Sequence, residues 1–427
     1  MNYLTIKRHL RIPSIIFICL ILGCSNSENT DYWVRDDIFA PQDSEETTNS
    51  TFSKETYLPL DDSEYPYAGL PRIVIETKNH QAINDRETEI PAKLQIWGEH
   101  SPESEIMELT IKGRGNTSWE YSKKPYAIKF EKKQNLLGMP KAKKWVMLAN
   151  YRDRTLIRNA LAFEIARHTS QKWVPQGKFV DVFLNNTFIG NYYVCEKIQA
   201  SQNRLNLENN SFLLELDIGY DEEYKFKSAY KKFPVNIKSP NNPSSNQLQH
   251  IKSFIDSIEC CFYGPCKESN GLQMINLESL ASFWIVQEIA QNWESIHPKS
   301  VYLYKDSIIN FGPIWDFDWQ TFTTKKSGMP MKESLWLDTL SKNALFKNVV
   351  KNEWTKNKKS FYSLISFIDS LANYIETSNE RSYKKWPIKL RSNLAGDENE
   401  DFPTAIKMLK DAYINRLNEL DSLYQSL

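Results

Sequence analysis

The chain has 427 residues, is 41% hydrophobic and 13% aromatic, and carries 53 basic against 53 acidic side chains. That length suits two or three ordinary domains or one large two-lobed one. The charge balance gives no electrostatic reason to expect nucleic acid as a partner, and many aromatics with only 14 glycines exclude a fibrous or wholly disordered chain.

The first residues read as a targeting segment. Lys7, Arg8 and Arg11 form a basic stretch, and Ile12 to Leu22 is an apolar run too short to span a bilayer comfortably. It ends Ile21-Leu22-Gly23-Cys24, the form of a bacterial lipobox. Residues 1–23 are therefore expected to be a lipoprotein signal peptide, with Cys24 the lipidated residue. The alternative is an ordinary signal peptide with an incidental cysteine. Loss of the three basic residues leaves 50 bases against 53 acids, a slightly acidic mature chain. Acyl chains on Cys24 would hold it to a membrane without a transmembrane helix. The expected location is thus the bacterial cell envelope, periplasmic or surface-exposed. Residues 24–66, rich in Ser, Thr, Asn, Asp and Glu, read as a solvated tether.

The folded part is expected over residues 67–427, β-rich to about 210 and mainly helical beyond. Ile73–Ile75, Leu94–Trp97, Leu109–Lys112 and Tyr126–Phe130 read as strands, the last with the alternation of a half-buried strand. A helix follows from about Asp153 or Thr155 to His168, with Asp153 as a possible cap. Val180–Leu184 and Tyr192–Glu196 form a hairpin across Asn185 to Gly190. Phe212–Leu216 is a further strand. Then come helices over Asn246–Glu259 and Leu277–Gln291, the strand pair Val301–Tyr304 and Ile308–Ile314, and a helical tail. Four cysteines lie beyond the lipobox region. Cys260 or Cys261 is placed to close a turn onto Cys266, and export permits a disulfide. Cys195 is most simply a small core residue.

Two features carry chemistry. Ile314-Trp315-Asp316-Phe317-Asp318-Trp319 ends an apolar stretch with two carboxylates interleaved by aromatics. On a strand, residues i and i+2 share a side, so Asp316 and Asp318 would converge on one hard divalent cation such as magnesium. The plain alternative is a surface turn with solvated acids, but buried unpaired charge amid so much aromatic surface is costly. The second feature is Glu164, on the apolar stripe Ile157, Ala160, Leu161, Ile165 of the expected helix. Such a carboxylate needs a cation, and Lys129 on its strand is a candidate partner. Arg158, Arg167, His168 or water are the alternatives.

At this point the residues resemble a known family. Gly113-Arg114-Gly115-Asn116-Thr117-Ser118-Trp119, Lys123-Lys124-Pro125-Tyr126-Ala127-Ile128-Lys129-Phe130, Leu136-Leu137-Gly138-Met139-Pro140-Lys141, Trp145 to Tyr151, Leu156-Ile157-Arg158-Asn159, Gly190 to Glu196, Gln287-Glu288, Asn292-x-Glu294 and Gly312 to Asp318 are similar to the successive signatures of the CotH family. These are atypical, kinase-like proteins first recognised in spore coats. The ordered series runs from about Leu70 to Thr323.

The resemblance implies an α+β, two-lobed atypical protein-kinase-like fold, with a β-rich N-terminal lobe to about 210 and a mainly helical C-terminal lobe. It implies phosphoryl transfer from a nucleotide, ATP with Mg2+ or Mn2+, to a side chain of an unidentified protein substrate. By that likeness Lys129 is the nucleotide lysine and Glu164 its helix partner. Asp316 is the metal-binding aspartate, with Asp318 secondary, and Glu294 is the catalytic acid or base. Arg114 on its glycine-flanked turn would approach phosphate, unless the turn is merely tight and Arg114 ion-paired. Glu196 would sit where nucleotide binds, or be an ordinary acid at a hairpin end. One departure stands out: Glu294 replaces the family's aspartate, adding one methylene, and His297 is the other nearby candidate base. A kinase fold kept as a surface protein for binding or adhesion is the alternative function, and glycan capture through exposed aromatics is a third.

Overall fold

The computed structural model of the protein describes residues 57–208, 210–324, 327–389 and 395–427. The expected signal peptide, Cys24 and the tether as far as residue 56 lie outside the described residues. The last part of the expected tether is packed: Leu58 is buried against Val74, Phe183 and Phe188, and Tyr65 stacks on Phe188 at 4.3 Å.

The sheet-rich half contains β1 (Arg72–Thr77), β2 (Ile90–Trp97), β3 (Met107–Gly113), β4 (Tyr126–Gln134), β5 (Ala142–Leu148), α1 (Arg158–Arg167), β6 (Gly177–Leu184) and β7 (Thr187–Glu196). These seven strands close into a barrel in the order β1-β2-β3-β4-β5-β7-β6. Neighbours are antiparallel except β1 and β6, which run parallel from Arg72 opposite Asp181 to Ile75 opposite Leu184. Alternation fills the interior: Ile90, Leu94, Tyr126, Ile128, Trp145, Met147, Val180, Val182, Tyr192 and Val194 belong to one buried cluster. On β6 and β7 the outward residues are buried too: Phe163 of α1 lies on Tyr193 with ring centres 6.3 Å apart, Ser378 bonds Asp181 and Asn191, and Leu58 covers Phe183. The turn from β6 to β7 is only Asn185-Asn186, both with positive φ. Two such residues match the twist of a hairpin, so β7 begins at Thr187 rather than near Tyr192 as the sequence suggested.

The second half contains β8 (Phe212–Leu216), β9 (Lys225–Lys227), β10 (Pro234–Ser239), α2 (Ser245–Tyr263), α3 (Glu268–Gln273), α4 (Leu277–Ala290), β11 (Val301–Lys305), β12 (Ile309–Phe311), α5 (Leu337–Leu340), α6 (Ala344–Lys385) and α7 (Phe402–Gln425). Its strands form one sheet, β12-β11-β8-β10-β9. Apolar nearly all round and buried from Ser279 to Ala290, α4 is the central helix. Cys260 and Cys266 are joined by a disulfide, while Cys195 and Cys261 are buried thiols. The molecule is thus α+β, sheet-rich first and helical afterwards, with a closed barrel that the strand pattern alone did not reveal.

Candidate functional site

A cleft of about 390 Å³ runs between the barrel and the second sheet. The barrel wall comes from residues that alternation turns outward: Ala127 on β4, with Val146 and Leu148 on β5, give it an apolar patch. Lys112, Arg114 and Lys197 join that wall, and Arg152 follows β5. The facing wall supplies Glu215, Asp217, Glu294, Asp316 and Asp318, with Lys238 and Lys299 among them. Cations thus dominate one side and carboxylates the other.

The carboxylates converge as expected, but by a different backbone route. Because β12 stops at Phe311, Asp316 and Asp318 lie on the loop beyond it. Asp316 has φ +69°, a left-handed conformation that costs a non-glycine residue energy and persists only when its surroundings impose it. Two asparagines impose it here. Asn159 of α1 accepts the Phe317 N–H at 2.8 Å, and the Asn292 amide donates to the Asp316 carbonyl at 3.2 Å. Asn292 also accepts the Glu294 N–H at 3.3 Å, so one side chain sets both acidic segments. Asn159 is oriented in turn by donating to Asn150 at 2.9 Å. The helix α1 starts at Arg158, later than the expected Asp153 or Thr155, and its N-cap is Ile157 rather than Asp153. Asp153 instead accepts the Arg158 N–H from five residues upstream at 2.9 Å. Arg158 is consumed by buried pairs with Asp153 and, at 2.6 Å, with Asp397.

Electrostatics at this corner are strained. Burial, then the neighbouring Asp316, Asp153 and Glu294, push Asp318 up to about 8, and Asp316 and Asp318 share a hydrogen bond. Burial and Asp316 push Glu294 up to about 7 against the pull of Lys299, which contacts it at 2.7 Å. Carboxylates crowded in this way raise one another, and a cation held between them would relieve that repulsion. No group of three His, Cys, Asp or Glu side chains arranged for a metal is found among the described residues. Magnesium, however, takes one or two carboxylates with the substrate's phosphates, and the Asp316–Asp318 pair fits that demand.

On the opposite wall, Gly113 and Gly115 shape the turn that carries Arg114. A Cβ at Gly113 would sit 2.6 Å from the Asp85 carbonyl, and Gly115 has φ +81°. The Gly113 and Arg114 amides are already bonded to the Asp85 and Pro125 carbonyls, so those two N–H groups are not available to phosphate. What the turn presents is the Arg114 side chain, 5.8 Å above the Trp315 ring. Arg152 lies between Tyr121 and Trp319, 4.4 and 4.8 Å from their centres, beside Asp318, Glu294 and Asp316. Lys197 is water-accessible yet surrounded by protein within the cleft. Partial desolvation, with Lys144, Lys238 and Arg114 nearby, pushes it down to about 8.

Three sequence expectations are corrected. Lys129 does not pair with Glu164. It points outward from β4 two residues beyond Ala127 and contacts Glu89 at 3.4 Å, while Glu164 contacts Arg167 at 2.8 Å and His168 at 3.5 Å. The reason is topological: α1 covers β7, two strands away from β4 in the barrel. Glu196 does not reach the cleft, being buried against Arg204 and accepting the Gln176 N–H at 2.9 Å. His297 is exposed and lies outside the cleft lining. Sequence reading missed Arg152, Lys197, Lys238 and Lys299, which belong to no local pattern and meet only through the fold. Asn159 and Asn292 stood inside quoted motifs, yet their latch role needed the structure.

A search of curated proteins found no match to this chain. The family profile described as CotH kinase protein matches residues 111–420. The chain belongs to the CotH kinase family. The match covers most of the chain, including Lys112 to Asp318 of the cleft, the helix α6 and most of α7, so the protein is kinase-like.

Proposed function

We propose that this CotH-family protein is an atypical, two-lobed kinase held in the bacterial envelope by lipidated Cys24. In this reading it transfers a phosphoryl group from ATP to a side chain of a protein acceptor. The observation that carries the reading is the cleft itself, with cations on the barrel wall facing Glu294, Asp316 and Asp318 across about 390 Å³. Catalysis of phosphoryl transfer is chiefly positioning and charge stabilisation, and this arrangement offers both. The apolar patch of Ala127, Val146 and Leu148 suits a nucleobase. Arg114, Lys112 and Lys197 suit the phosphates, and Asp316 with Asp318 would hold Mg2+ or Mn2+. That ion would supply charge neutralisation between the acids and the phosphates.

Glu294 is the group to accept the acceptor hydroxyl's proton as its oxygen bonds to the γ-phosphorus and the bond to the bridging oxygen breaks, releasing ADP. Calorimetry of ATP with magnesium tests the reading. Wild type should bind only with the metal, and Asp316→Asn should lose most of that affinity while unfolding at a similar temperature. Metal-dependent binding indifferent to Asp316→Asn would contradict it. The glutamate at 294 favours one second reading, a kinase fold retained for binding or adhesion. In that case wild type would bind ATP without transferring phosphate, and Glu294→Asp would restore transfer.

A further inference from the structure

Beyond Lys238 the cleft adjoins a second hollow of about 340 Å³. Lys133, Lys141, Lys143, Lys144 and Lys238 line it, with amide and hydroxyl groups from the segment after β7, and no carboxylate takes part. Lys133, Lys141, Lys143 and Lys144 are all exposed, and none forms an ion pair among the described residues. In a chain with equal numbers of acids and bases, four unpaired cations around one hollow form a marked local excess of positive charge. Their mutual repulsion is relieved by an anion from outside. Lys238 is shared between hollow and cleft, and is fixed by Glu215 at 3.1 Å and by Glu222. The field reaches the cleft, since Lys144 and Lys238 help to lower Lys197.

We propose that this lysine hollow docks an acidic stretch of the protein acceptor and leads it into the cleft, an inference that rests on reading the cleft as a phosphoryl-transfer site. The lining decides the class of ligand. It has no aromatic ring on which a base could stack. It has no arginine, whose planar fork serves bidentate phosphate recognition. Lysines are mobile point charges, suited to carboxylates spaced along a flexible peptide. A concave lining also fits a chain better than a flat bilayer. On β5, Lys144 stands two residues from Val146 of the cleft wall and on the same face, about 7 Å along the strand.

The test measures anisotropy of a short fluorescent Glu/Ser peptide with the full chain, beside its Gln/Ser counterpart. The Glu/Ser peptide should bind and the Gln/Ser peptide should not. Lys141→Glu/Lys143→Glu, which spares Lys144 beside the cleft, should weaken binding by about tenfold or more, with ATP affinity and melting temperature unchanged. Should the double variant fail to fold, Lys143→Glu alone is expected to act in the same direction. Failure of wild type to bind the acidic peptide, or equal binding by the variants, overturns the proposal. So does lysine-dependent binding to phosphatidylglycerol vesicles without peptide binding, which would mark a membrane contact. Lysine-dependent peptide docking by a protein that never binds ATP would uphold the docking site and overturn the kinase reading alone.

Discussion

At Glu294 the side chain is one methylene longer than the aspartate that the resemblance implies there, and Lys299 at 2.7 Å and the Asn292 latch hold it in the cleft. A shift of about an ångström at a reacting group can cost about a hundredfold in rate. Glu294→Asp should therefore move the transfer rate by up to about that factor, and Glu294→Gln should stop transfer while ATP still binds. Loss of ATP binding in Glu294→Gln would instead mark a binding role. The lysines separate just as clearly. Lys129→Met should leave ATP affinity nearly unchanged, whereas Lys112→Met, altering a residue that lines the cleft, should lower it. Equal losses in the two variants would count against the placement of the phosphates. Lys123 is a different kind of cation, 2% exposed, donating to the Ala149 carbonyl at 2.7 Å and to that of Asn191. Burial pushes it down to about 7 from 10.5. Below about 7 it is charged in both folded and unfolded chains, and the cost of burying that charge is fully felt. Between about 7 and 10.5 the unfolded chain binds more protons, so this group makes stability rise with pH. Asp181, raised by burial, acts in the opposite sense from about pH 4 upward. Comparison of wild type with Lys123→Met isolates the lysine: wild type should gain on the variant from pH 7 to 10 in thermal melts, and a constant gap would refute the assignment.

Among the elements, those with a strong period were legible in the sequence. Tyr126-Ala127-Ile128-Lys129-Phe130 alternates, and β4 is there; the apolar run from Leu277 is α4. β9 and β10 were missed because Lys225-Phe226-Lys227 is too short for a period, and Pro234 opens β10 in a stretch of mixed polarity. Barrel closure was illegible for another reason. It depends on β1 meeting β6, strands more than a hundred residues apart whose pairing leaves no local signature. The carboxylate site was legible because Asp316 and Asp318 are neighbours in sequence. Of its cations only Arg114 was, through its flanking glycines, since Arg152, Lys197, Lys238 and Lys299 come from four separate segments. The cysteines fell between these cases. Spacing allowed either neighbour to close onto Cys266, and the helical turn at the end of α2 brings Cys260 to it while Cys261 faces inward. A loop that small restrains the unfolded chain by about 2 kcal/mol. Cys260→Ser/Cys266→Ser should thus melt a few degrees lower, with ATP affinity intact. A change in ATP affinity would show that the disulfide shapes the cleft.

For the whole molecule, the long helix α6 matters most. Its 42 residues span about 63 Å. Near its start, Glu353 accepts from Ser282 of α4 at 2.9 Å and from the Ser170 N–H at 2.8 Å. Near its end, Ser378 bonds Asp181 and accepts from the Asn191 amide at 2.8 Å, and Trp386 donates to the Ile189 carbonyl at 2.9 Å. One stiff rod is therefore riveted to both halves that bound the cleft. Swinging the barrel away would break buried polar bonds or bend the rod, and neither comes cheaply. Ligand traffic in such a molecule is that of a standing cavity rather than of a jaw: entry and exit set by diffusion and local side-chain motion, with no slow closing step between encounter and capture.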